Sequence, residues 1–99
     1  MKNLESALKN SYVTGDFHLE EGYVLDFSFK EYAFENCNIT NGSLTGSHFL
    51  NCRFNNVTFK NIHLDEVDFD GCTFEITTFE NCSMEGTQFI NCTNKPKIA

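Results

Sequence analysis

Residues 51–74 read NCRFNNVTFKNIHLDEVDFDGCTF, and an apolar residue returns in them at every fifth position: Phe54, Phe59, Leu64, Phe69 and Phe74. Followed outward, the same period takes in Leu19, Val24, Phe29, Phe34, Ile39, Leu44 and Phe49 before this stretch and Phe79, Met84 and Phe89 after it, fifteen consecutive positions without a gap. A helix turns about 100° per residue, so a period of five scatters these side chains around its axis. A straight strand alternates faces at each residue, so an odd period sends successive members to opposite sides. The chain must therefore turn once per repeat, each pentad supplying a short extended piece and a corner.

Two residues before each of these central positions the side chain is small or apolar, as at Cys37, Ser47, Cys52, Val57, Ile62, Val67, Cys72 and Thr77. Residues two apart on an extended segment share a face, so both phases point inward. The remaining positions are rich in Asn, Thr, Asp, Glu, Gly and Ser, which suit water and corners. Stacked coils should bring like residues together, and a coil of twenty residues sorts them best. It gives columns Phe29, Phe49, Phe69, Phe89 and Phe34, Phe54, Phe74, an aliphatic column Val24, Leu44, Leu64, Met84, and an inner column Tyr12, Tyr32, Cys52, Cys72, Cys92. Corner positions form an asparagine ladder at Asn41, Asn61 and Asn81. Four sides per coil follow.

Segments such as Asn51-Cys52-Arg53-Phe54 and Gly71-Cys72-Thr73-Phe74 resemble the pentapeptide-repeat family, in which Leu or Phe is central, a small residue precedes it by two, and Asn or Asp comes before that. The resemblance implies an all-β fold, a right-handed quadrilateral parallel β-helix of about four coils, roughly 19 Å tall at about 4.8 Å between strands. The expected organisation is an N-terminal cap over residues 1–14, the solenoid over 15–94 and a tail over 95–99. Leu4, Ala7 and Leu8 stand at helical spacing and suit a short cap helix. Pro96 and its flanking lysines suit a blunted free edge, or, on a sharper reading, a homodimer joined at the C-terminal coil.

The 99 residues make one domain, with eleven Phe and no Trp. Lys and Arg total 7 against 14 Asp and Glu, a formal charge of −7 that argues against direct binding of nucleic acid or anionic lipid and points to a protein partner with a basic or apolar surface. No apolar run approaches the roughly 18 residues of a membrane helix, and no signal-peptide stretch opens the chain, so a cytoplasmic setting is expected. The five cysteines, locked to the repeat phase, read as reduced packing residues. The five Asn-x-Ser/Thr sequons, at Asn38, Asn41, Asn56, Asn81 and Asn91, follow from what the repeat demands of its surface.

Chemistry is hard to find in this pattern. His18, His48 and His63 fall on three different sides and do not converge on a metal. The run Asp65-Glu66-Val67-Asp68-Phe69-Asp70 places its carboxylates outward in water, without a pocket. No phosphate loop, nucleophile elbow or zinc spacing occurs, so neither enzymatic activity nor a cofactor is expected.

Two surface features stand out instead. Asp65, Glu66, Asp68, Asp70, Glu75, Glu80 and Glu85 make the second half of the stack acidic. Leu50 and Ile90 take outward positions one coil below and above Asp70, beside a column of His48, Asp68 and Gln88, and exposed aliphatics around a carboxylate suit a binding hot spot. In the Qnr and MfpA proteins, similar members of the family, an acidic surface binds DNA gyrase. That resemblance implies a DNA mimic, an inhibitor or protector of a topoisomerase, nuclease or CRISPR effector. The chain is shorter than those relatives and lacks their projecting loop and dimerisation helix, and the alternative to mimicry is a recognition or scaffold module that binds through a flat β face or strand edge, as in the similar luminal domain of a synaptic vesicle glycoprotein, or an engineered solenoid.

Overall fold

A computed structural model describes residues 2–19 and 22–99. The chain forms strands β1 (Lys2–Asn3), β2 (Tyr12–His18), β3 (Ser28–Lys30), β4 (Ala33–Ser43), β5 (His48–Leu50), β6 (Arg53–His63), β7 (Asp68–Asp70), β8 (Thr73–Glu75), β9 (Thr78–Glu80), β10 (Gln88–Ile90) and β11 (Lys97–Ile98). All their pairings are parallel. From Ser28 to Ile90 each paired residue meets the one twenty positions on, for example Phe34 with Phe54 and Phe54 with Phe74. This is the expected parallel β-helix with a twenty-residue coil. One sheet runs β10-β7-β5-β3. The other orders β1-β2-β4-β6-β9-β11, with β8 also on β6, and wraps three sides because β4 and β6 each turn two corners at asparagines, Asn36 and Asn41 in β4 and Asn56 and Asn61 in β6, with φ between 51° and 58°.

The central side chains fill the coil. Phe29, Phe49, Phe69 and Phe89 stack at ring-centroid distances of 4.3, 4.8 and 5.1 Å within 10° of parallel. Phe34, Phe54 and Phe74 form a second stack at 5.0 Å. The two stacks meet edge to face, as Phe49 meets Phe54 at 62°, so each ring presents its positive rim to a neighbour's negative face. Phe79 instead meets Phe59 at 74°.

The small residue two places earlier does more than pack. Its thiol or hydroxyl donates to a carbonyl of the coil below: Cys52 to Phe29, Cys72 to Phe49, Cys92 to Phe69, Thr77 to Phe54 and Thr87 to Leu64. Burial pushes the Cys37 thiol up to about 11, which keeps it protonated as a donor to the Val13 carbonyl. All five cysteines are free thiols.

The first coil departs from the expected register. Val13 and Phe17 pair with Phe34 and Ile39, so the central column below Ile39 is filled by Phe17, not Leu19. Leu19 is still buried, because it occupies the space where a Cβ on Gly42 would stand. Tyr12 pairs with Ala33 and is half-exposed, its hydroxyl donating to Glu35, so it does not join the Tyr32–Cys92 column. Nine residues lie between His18 and Ser28 where seven lie between their partners Thr40 and His48. The surplus pushes Tyr23 and Val24 outward, and Leu25 takes the inward place expected of Val24.

The ends differ as well. At the base, β1 pairs with β2, and a single 3-10 turn over Leu4–Ala7 buries Leu4, with Asn3 Oδ1 accepting the Glu5 N–H at 2.8 Å. At the top, the tail is not a free edge: β11 adds to β9, and Lys97 N–H donates to the Thr77 carbonyl at 2.9 Å. Pro96 lies in the crossing to this strand. Met84, Phe89 and Cys92 are only half-covered there.

Among the described residues, Ile76 is the only β-branched one in the left-handed region, at φ 48°, where such a side chain costs about 1–2 kcal/mol. Ser47, fully buried, donates to the Leu25 carbonyl at 2.7 Å and accepts the Phe27 N–H at 3.0 Å, tying the displaced segment to the coil above. Replacing it with alanine orphans both backbone groups, so Ser47→Ala should lower unfolding stability by about 1–3 kcal/mol, measured by urea titration, whereas Ser47→Thr should retain most of it.

Candidate functional site

The side built from β3, β5, β7 and β10 is a flat four-stranded sheet. Its central residues are the inward phenylalanines, so the residues before and after each one must point out. Two outward rows result: Ser28, His48, Asp68, Gln88, and Lys30, Leu50, Asp70, Ile90. Leu50 and Ile90 are 37% and 38% exposed and flank Asp70 in register, as the coil arithmetic places them. His48 Nδ1 lies 3.2 Å from Asp68 Oδ2. A shallow hollow of about 230 Å³ is bordered by these side chains. Lys30 and Ser28, not singled out in the sequence, extend both rows by one coil. The twenty-residue register read backward from Leu50 and His48 locates them.

The acidic residues do not share that face. Asp68 and Asp70 lie on it, Glu66 stands at the corner before it, Asp65 and Glu85 lie on the side beyond that corner, and Glu75 lies on the side after β7. Together Asp65, Glu66, Asp68, Asp70 and Glu75 form a belt around three sides of one coil. Glu66 has φ 58° at a turn where the neighbouring coils carry Gly46 and Gly86.

Asp65 is committed to the fold. Its Oδ1 accepts the Glu85 N–H at 2.8 Å and its Oδ2 accepts the Ser83 hydroxyl at 2.9 Å, while Ser83 Oγ also lies 2.8 Å from His63 Nδ1. The Glu85 N–H first, and the Ser83 hydroxyl next, hold the Asp65 carboxyl below its usual range. Sequence reading saw a surface charge here; the aspartate two residues before Val67 is a strap between coils.

His48 stands apart from the other two histidines. His18 and His63, on successive sides, border one open groove of about 870 Å³ with Tyr23, Val24 and Asn41. Among the described residues no three His, Cys, Asp or Glu side chains are placed to hold a metal ion. No helix among them is long and apolar enough to cross a membrane.

A depressed carboxyl stabilises the fold above its unfolded pKa, and that contribution is lost as pH falls through the folded value. Urea titrations from neutral pH down to about pH 2 should therefore show a smaller acid-induced loss for Asp65→Asn than for the wild type, with the variant already weaker at neutral pH. Superimposable pH profiles would mean that the strap contributes nothing.

The residue pattern, the twenty-residue register and the inward phenylalanine stacks agree with what comparison shows. No curated protein matches the chain. The pentapeptide repeat region family matches residues 27–96, and the chain belongs to the pentapeptide-repeat family.

Proposed function

We propose that the protein is a binding module that engages a partner protein through its β3-β5-β7-β10 face. The observation that supports this reading is the row Leu50, Asp70, Ile90 beside the His48–Asp68 pair. The backbones of β5 and β7, held by ladders on either side, lose little freedom on docking, which lowers the entropic cost of association. A basic side chain of the partner set against Asp68 and Asp70, ringed by apolar contacts to Leu50 and Ile90, would be desolvated by those contacts and strengthened. This assigns the chain to recognition, with no catalytic step and no cofactor. Thiols that serve as hydrogen-bond donors in the core suit a reducing compartment, and the cytoplasm is the proposed setting.

A second reading is favoured by the net charge of −7 and the carboxylate belt of the third coil: occupation of a nucleic-acid site on a DNA-binding enzyme, as an inhibitor or a protector. Because the Asp65 carboxylate is engaged by Glu85 and Ser83, this reading rests on Glu66, Asp68, Asp70 and Glu75.

Capture from a host lysate separates the two. A partner lost with Leu50→Ser/Ile90→Ser and retained in about 0.5 M salt supports face recognition. A partner released by that salt, displaced by free DNA, and lost when Glu66, Asp68, Asp70 and Glu75 are changed to lysine supports mimicry. A partner bound equally by both variants overturns both readings.

A further inference from the structure

Ile76 is where the sequence works against the repeat. The two coils below place asparagine at this corner, and Asn56 Nδ2 donates to Asn36 Oδ1 at 2.9 Å. Isoleucine ends that ladder, adopts a backbone conformation β-branched residues avoid, and leaves its side chain 80% exposed. Asn36 and Asn56 at this corner are exposed as well, so the position faces outward, and the tail does not cover it. Three residues lie between Thr93 and Lys97 where four lie between their partners Thr73 and Thr78. The chain thus cuts the corner and opens a groove of about 600 Å³, with Glu75 and Ile76 on the wall from the third coil and Lys95 and Lys97 on the wall from the tail.

We propose that this corner is a two-fold contact between two copies of the chain. An exposed aliphatic with an acid on one side and two cations on the other is self-complementary: a two-fold axis at Ile76 brings Glu75 of each copy against the partner's Lys95 and the partner's Lys97. A purely acidic or purely basic partner would satisfy only one wall. The contact is lateral, so it covers neither the open top of the stack nor the β3-β5-β7-β10 face, and each dimer presents two such faces. A patch of this extent belongs to the small, weakly associating class of interfaces. The inference does not depend on the proposed function.

Sedimentation equilibrium of the purified full chain up to about 1 mM tests it, a range that reaches weak association. A dimer is expected. Ile76→Asn should weaken it by about tenfold or more, the loss of a central contact, while raising the thermal midpoint, because asparagine tolerates the left-handed region. Glu75→Lys should also dissociate it, and adding Lys95→Glu and Lys97→Glu to that variant should restore it. A chain monomeric throughout overturns the proposal. So does a dimer that Ile76→Asn leaves intact and Ile98→Asp disrupts, which would place the contact at the open top.

Discussion

Each coil of the solenoid must bring its backbone back to within hydrogen-bonding distance of where it stood twenty residues earlier, on four sides at once. That constraint governs what each position can hold. A residue added or lost on one side shifts every following side chain away from its equivalent below, and the phenylalanine stacks, the thiol-to-carbonyl bonds and the asparagine ladders all need equivalents in register. Corners are where the constraint is met, and asparagine recurs there because it accepts a positive φ and bonds to its own copy one coil away.

Where the chain obeys the constraint, the sequence was readable. The period from Phe29 to Phe89, the coil length and the Asn41–Asn61–Asn81 ladder all follow from counting. Reading failed where local length changed. The two surplus residues between His18 and Ser28 leave the five-residue spacing of Leu19, Val24 and Phe29 intact, so the pattern continues on paper while Val24 turns outward and Leu25 replaces it. Gly42 carried the missing signal: a glycine at an inner position announces that another side chain, here Leu19, fills its space. At the other end, Pro96 argued against a strand, yet the strand begins one residue later, where its backbone donors are available.

The surface was legible in position and less so in role. Register alone placed Leu50, Asp70 and Ile90 in one row, since an outward side chain on a parallel ladder has a fixed neighbour. It could not show that Asp65 spends its carboxylate on the backbone of the next coil, because that depends on a turn whose geometry the residue types do not announce. Outward charges in a solenoid divide in this way between those facing solvent and those fastening one coil to the next.

The half-covered Met84 and Phe89 at the top, set against the closed base with its buried Leu4, give the stack a polarity in how it comes apart. In a linear array each coil is stabilised chiefly by its neighbours, so the coil with only one neighbour and a half-wetted core opens most often. Fraying starts from the C-terminal end, where β10 on β7 and the short clasp of β11 on β9 hold the last coil from one side, and assembly in the reverse sense grows upward from the capped base, each finished coil acting as the template for the next.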